Sequence, residues 1–189
     1  ITVSEKYVNY LIRDMYVLKN GDIGFVAADY DKGSVCICLY NKNTGAEWFE
    51  LSGFDMQDKS NISLVSINEE FAVIKDREDL YLYSFIQNKT DSVFVQDATE
   101  IISCCVSDDN KLNLLYNKND SLYLSEFNTE SLMAGSEKKI QTVKGTSEDT
   151  IISGNKDYKI FLNVGEQLIG VRADNKEEVL IDWSVSGYK

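Results

Sequence analysis

Residues 149–187 read DTIISGNKDYKIFLNVGEQLIGVRADNKEEVLIDWSVSG, four short apolar runs separated by three polar turns. The runs, at 150–153, 158–162, 167–172 and 179–183, are rich in Ile, Val, Leu and Tyr. Gly, Asn, Asp and Lys bound them, which is the composition of strands joined by tight turns. No apolar stripe at helical spacing survives across the turns. The stretch is therefore expected to form a four-stranded antiparallel meander.

Looser copies of this unit precede it. Val35-Cys36, Leu80-Tyr81, Leu122-Tyr123 and Leu168-Ile169 each follow a polar turn, and Val35, Leu80, Leu122 and Leu168 stand 45, 42 and 46 residues apart. The turn after each of these runs keeps the same period, at Asn41-Lys42-Asn43-Thr44, Gln87-Asn88-Lys89-Thr90, Asn128-Thr129-Glu130 and Asp174-Asn175-Lys176. Four strands in each such period mark a propeller blade, because one small sheet cannot bury both faces alone and must stack on copies of itself.

The expected fold is all-β and β-propeller-type, with about four four-stranded antiparallel blades at about residues 13–52, 61–96, 101–143 and 149–183, in a closed small ring or an open arc. Two-sided burial explains Leu80-Tyr81-Leu82-Tyr83 and residues 35–39, which are apolar on both alternating faces. The competing architecture is a single sandwich, which also has regular turn spacing. No linker rich in Gly, Ser or Pro divides the chain, so residues 1–189 read as one domain.

Along the chain, residues 1–12 form a lead-in, in which Ile1-Thr2-Val3 has the pattern of an edge strand. Asn20-Gly21 between apolar runs predicts a tight hairpin, since both residues accept positive φ. Residues 129–138 read as a longer connection, a helical turn or a surface loop. The last residues, SVSGYK, come just after a strand-like run and raise the expectation of further chain.

The chain has 19 Lys and Arg against 31 Asp and Glu, a formal charge of −12, with the acids dispersed. That excludes nucleic acid and anionic membrane surfaces as partners. No run reaches the length of an uncharged membrane span, and the first residues lack the order of a signal peptide. The sequence contains no His and no Pro. Ser-His-Asp and Cys-His catalysis and most zinc sites are excluded with the histidine.

The candidate sites are few. Asp29-Tyr30-Asp31-Lys32-Gly33 begins like a calcium loop but lacks a third oxygen residue before the Gly and the later bidentate Glu, so a hairpin turn is expected. Cys36 and Cys38 share a strand face, whereas Cys104 and Cys105 face opposite ways. None has metal or redox spacing, and buried thiols without a disulfide are expected. Trp48 and Trp183, with Tyr40, Tyr81, Tyr83, Tyr116 and Tyr123, are the aromatic faces available to a sugar ring, but repeat-equivalent placement of the tyrosines within strands points to packing between blades. Asp108-Asp109, Glu148-Asp149 and Glu177-Glu178 have the composition of a glycosidase carboxylate pair, but turns of an acidic protein contain such pairs routinely, and solvated turns are expected. No catalytic, cofactor-binding or metal-ligating residue is assigned, and the ligand-binding residues are left unassigned.

The passages RDMYVLKNGDIGFVAADYDKGSVCICLYNKNTG (13–45) and GEQLIGVRADNKEEVLIDWSVSG (165–187) resemble the propeller-like segment that precedes the solute-binding domain in surface lipoproteins of gut Firmicutes. The matching features are Asp14-Met15 with Gly21-Asp22, Leu80-Tyr81 and Leu122-Tyr123, and Leu180-Ile181-Asp182-Trp183. The resemblance implies an extracellular, lipoprotein-anchored location and a part in the uptake of carbohydrate or another solute, and it transfers no catalytic residue. The expected function is a binding or interaction module without chemistry or cofactor, whose ligand is a protein, solute or glycan. An open arc would imply pairing of two copies or a missing partner segment. The alternatives are a carboxylate-based glycan-active enzyme and a cytoplasmic protein-interaction scaffold.

Overall fold

The computed structural model describes residues 5–7, 9–29, 31–51, 62–107 and 109–184 of the chain. The reading of Ile1-Thr2-Val3 as an edge strand lies outside them, as do Tyr30 and Asp108. Apart from one 3-10 turn, Glu5–Tyr7, the described elements are strands. They form four four-stranded antiparallel meanders, grouped in two compact units, Ile1–Phe94 and Val95–Lys189, of two blades each.

In the first unit, blade 1 consists of β1 (Leu11–Val17), β2 (Ile23–Asp29), β3 (Ser34–Asn41) and β4 (Gly45–Leu51). Blade 2 consists of β5 (Ile62–Ile67), β6 (Phe71–Asp76), β7 (Asp79–Ser84) and β8 (Lys89–Val93). Val26, Val35, Ile37 and Leu51 of blade 1 pack on Leu64, Ala72, Ile74 and Tyr83 of blade 2, with Phe49 and Phe85 at the edge. The central strands are buried on both faces, as the unbroken apolar runs require: Val35, Cys36, Ile37 and Cys38 are at most 1% exposed.

In the second unit, blade 3 consists of β9 (Glu100–Val106), β10 (Lys111–Lys118), β11 (Ser121–Asn128) and β12 (Ala134–Gln141). Blade 4 consists of β13 (Thr150–Ser153), β14 (Ile160–Val164), β15 (Gln167–Val171) and β16 (Glu177–Asp182). Cys105, Leu115, Leu122 and Leu124 pack on Ile151, Ile160, Leu162 and Ile169. The connection between these blades is pinned by Asn117, which is fully buried. Its side chain accepts from the Gly145 N–H at 2.7 Å and donates to the Gly145 carbonyl at 3.1 Å.

One expectation is corrected here: residues 129–138 are not a long connection, because β12 already begins at Ala134. That strand opens with Ala-Gly-Ser-Glu-Lys-Lys, and as the outermost strand of its sheet it needs no apolar alternation. The first strand likewise begins earlier, at Leu11 rather than near Arg13.

Four of the polar turns share one physical basis. Asn41 accepts from the N–H groups of Asn43 and Thr44, Asn68 from Glu70 and Phe71, Asn128 from Glu130 and Ser131, and Asn155 from Asp157 and Tyr158. A short amide side chain thus closes the turn that the backbone leaves open. Asn20-Gly21 forms the expected hairpin, with Gly21 at φ 85 and Leu18 N–H donating to the Asp22 carbonyl.

A second recurrent device fastens blade to blade. Three first strands carry a bulge, at which the register steps over Arg13 in β1, Val65 in β5 and Ile102 in β9. In two of them the residue after the bulge reaches the next blade. Asp14 Oδ2 accepts from the Leu64 N–H at 2.9 Å in the first unit, and Ser103 Oγ accepts from the Ile151 N–H at 3.2 Å in the second. Both donors belong to buried residues, so each acceptor satisfies an N–H that would otherwise lose water without compensation.

Candidate functional site

Blade stacking in the second unit leaves a groove of about 270 Å³ between blades 3 and 4. Of the sequence-adjacent acidic pairs, Glu177 alone among the described residues lines it. Its charged lining comes from Glu126 on β11, Glu137 and Lys138 on β12, and Lys159 and Glu177 from blade 4, with Asn113 and Asn175 as amides. Lys159 Nζ lies 2.6 Å from Glu126 Oε2 and donates to Asn175 Oδ1 at 2.7 Å, while Lys138 Nζ lies 2.5 Å from Glu177 Oε1. Both ion pairs cross from one blade to the other.

Glu137 is held from its own blade. The buried Tyr116 hydroxyl donates to its carboxylate, and Lys118 Nζ lies 3.1 Å from Oε2. The Tyr116 bond, with help from Lys118 and against the effect of burial, keeps the Glu137 carboxyl below its ordinary pKa. Conversely, burial and then the Glu137 bond push Tyr116 up to about 12. Burial, with a smaller contribution from Cys36, pushes Cys38 to about 12.

These shifts set a pH dependence with a definite sign. Tyr116 and Cys38 are uncharged when protonated and have folded pKa values above their ordinary 10.0 and 9.0. Their contribution is therefore fully present below pH 9 and is lost as pH rises towards about 12. Glu137 acts in the opposite sense, stabilising above its ordinary 4.5 and losing that contribution as the solution is acidified. The urea midpoint is expected to fall on the alkaline side, and Tyr116→Phe is expected to flatten that fall. An alkaline limb unchanged in the variant would rule Tyr116 out as its source.

The remaining candidates are placed as follows. Asp29 Oδ1 accepts from the N–H groups of Asp31 and Lys32, and Lys32 Nζ lies 3.6 Å from Oδ2, so the segment resembling a calcium loop is the turn between β2 and β3. Among the described residues no group of three or more Cys, Asp or Glu is arranged to hold a metal ion. All four cysteines are buried thiols. Tyr83 packs between blades against Phe49, and Tyr116 stacks on Tyr123 at 6.1 Å, whereas Tyr40, Tyr81 and Tyr123 are only half-buried.

Trp48 offers no open platform, because Tyr7 stacks on it at 4.2 Å and Phe25 meets it edge-on. Trp183 is 42% exposed. Of the acidic pairs, Asp109 accepts from the Ser107 hydroxyl at 2.6 Å. Glu177 pairs with Lys138 and Glu178 with Arg172, so the two adjacent acids serve different partners. Glu148 is exposed, but Asp149 is buried, which corrects its reading as part of a solvated turn.

The meanders, their period and the packing of blade on blade define the class as a β-propeller-type repeat protein. No protein-family model and no curated protein matches the sequence. Among solved structures, the chain is similar to apo AztD from Citrobacter koseri, with a TM-score of 0.55 and 10% identity over 88% of this chain and 45% of that one. It is also similar to virginiamycin B lyase from Staphylococcus aureus, at TM-score 0.49 and 9% identity over 89% of this chain and 54% of the other. A luciferin-regenerating enzyme follows at TM-score 0.45 and 11% identity over 96% and 60%. The chain thus spans about half the length of the first structures it matches. With AztD, at 10% identity, it is the fold alone that is shared.

Proposed function

We propose that the chain is a non-catalytic binding and interaction module of a bacterial surface lipoprotein, displayed outside the cytoplasm and linked to uptake of carbohydrate or another solute. The observation that carries the binding reading is the groove of the second unit, which gathers carboxylate, ammonium and amide groups on a rigid two-blade scaffold. Such groups match the hydroxyls of a small polar solute. The lipoprotein part of the reading rests on the resemblance at residues 13–45 and 165–187.

The absence of chemistry is argued from the partners of the three glutamates. A glycosidase general acid is a carboxyl kept protonated by apolar surroundings. Glu126 and Glu177 each face an ammonium at 2.6 Å or less, and Glu137 receives a phenol and an ammonium. These surroundings are charged and polar, not apolar. Two of the similar structures are named as enzymes, but at 9–11% identity an activity does not transfer.

Isothermal titration with a panel of mono- and disaccharides, coupled to product analysis, tests this reading. Saccharide binding that weakens in Lys159→Met, with no product formed, is the expected result. Turnover lost in Glu126→Gln or Glu177→Gln would replace it with the glycan-active enzyme. Fractionation of the parent cells separates the surface lipoprotein from a cytoplasmic scaffold. The exposed apolar side chains of Leu11, Met15 and Val17 on β1 support a protein partner or a second copy as an additional ligand, which light scattering of the isolated chain will read.

A further inference from the structure

We infer that the first unit carries a separate site for a small oxyanion, a solute bearing a carboxylate or a phosphate, in a solvent-open cleft of about 570 Å³ between β1 and the β5–β6 side of blade 2. This goes beyond the reading of the groove in the second unit and does not depend on it. Three cations line the cleft, Arg13, Lys75 and Arg77, beside the Ser63 hydroxyl and the acids Asp14 and Glu78.

Each cation arrives by a different local device. Arg13 is the extra residue of the β1 bulge, a feature that re-aims a side chain away from the regular pleat. Lys75 sits opposite Ser63 in the β5–β6 ladder. Arg77 occupies the tight turn closed by the Asp76–Asp79 pair, at φ 56.

The Arg77 position is the sharpest of these observations. Eight described residues other than glycine have positive φ, and six of them are Asn or Asp, the residues that tolerate that conformation. Arg77 and Leu132 are the exceptions. An arginine at a turn position that Gly or Asn would fill with less strain needs a reason outside the turn, and its place on the cleft supplies one.

Composition points the same way. The chain contains three arginines, at 13, 77 and 172, and two of them line this cleft in a protein of formal charge −12. Guanidinium forks match the paired oxygens of carboxylate and phosphate, and Lys adds a point charge. Ile12 and Ile62 add apolar surface to the cleft wall.

The test is an NMR titration of the isotopically labelled full chain with inorganic phosphate, with citrate, and with glucose as the neutral control. Phosphate or citrate is expected to shift amide resonances in β1, β5 and the Arg77 turn with a dissociation constant on the order of 1 mM, weakening with added salt, while glucose leaves them unmoved. A response to phosphate alone assigns a phosphorylated solute, to citrate alone a carboxylate solute, and to both the shared chemistry. Arg13→Gln and Arg77→Gly are each expected to weaken binding tenfold or more.

Arg77→Gly also separates function from architecture, because glycine relieves the positive φ. That variant should melt no lower than the parent while losing the anion. Unchanged affinity in both variants, or no response in the cleft to either anion at millimolar concentration, would overturn the site. So would a loss of stability in Arg77→Gly with binding intact.

Discussion

Gly154→Ala is expected to destabilise the chain by about 3 kcal/mol or more, a large effect for a single added methyl. A Cβ at this position would stand 1.9 Å from the Tyr158 carbonyl oxygen and 2.5 Å from the Lys159 carbonyl carbon. Both are backbone atoms, so no rotamer change relieves the clash. The same residues close the β13–β14 connection, where Gly154 N–H donates to the Lys159 carbonyl at 2.9 Å and Asn155 N–H to the Tyr158 carbonyl at 2.7 Å. Opening that turn would pull on Ile160 and Leu162, both fully buried in the second unit.

Gly170→Ala provides the comparison. Its Cβ would meet the Tyr158 ring at 2.5 Å, but a partly exposed side chain can swing aside. Urea unfolding should therefore place Gly154→Ala well below Gly170→Ala at similar m-values. The reverse order, or a Gly154→Ala midpoint equal to the parent's, would show that the turn is not built around that contact.

Asp149→Ala is expected to cost about 2–4 kcal/mol, since two N–H groups lose their acceptor at once. Asp149 is 5% exposed, and its two oxygens accept from Thr146 N–H and Gly165 N–H, each at 2.7 Å. It ties the segment leading into blade 4 to the β14–β15 turn. Asp149→Asn keeps one acceptor and should fall between parent and Ala variant. Amide exchange at Gly165 reads the effect directly, and protection of that amide in Asp149→Ala would rule out the pin.

The propeller-type repeat was legible because two-sided burial leaves a pattern that one-sided sheets lack. Residues 35–38 and 112–116 carry almost no polar alternation, and the structure buries both sets on both faces. The turns were legible for a different reason: Asn41, Asn68, Asn128 and Asn155 act on groups two and three residues ahead, within the reach of local reading. What escaped was set by distance along the chain. Glu126 meets Lys159 and Lys138 meets Glu177 only when blade 4 stacks on blade 3, and no short-range spacing announces such a pair.

The pair Glu148-Asp149 shows the same limit from the other side. Adjacent acids in a turn look solvated, yet Asp149 turns inward because Gly165, sixteen residues later, presents an N–H to it. Trp48 looked like an open aromatic face, but the short 3-10 turn of Glu5–Tyr7 lays a ring over it. The outermost strand β12 was misread because nothing requires it to be greasy.

The Asp14 and Ser103 contacts give tandem growth of this repeat a polarity. In each, the earlier sheet offers the oxygen and the later one offers the amide, never the reverse. A duplicated pair of blades brings both halves of its own clasp with it. Inverting one blade of a pair would turn the acceptor away from the amide that it serves. Lengthening an array by whole pairs therefore keeps this joint, whereas flipping one member of a pair breaks it.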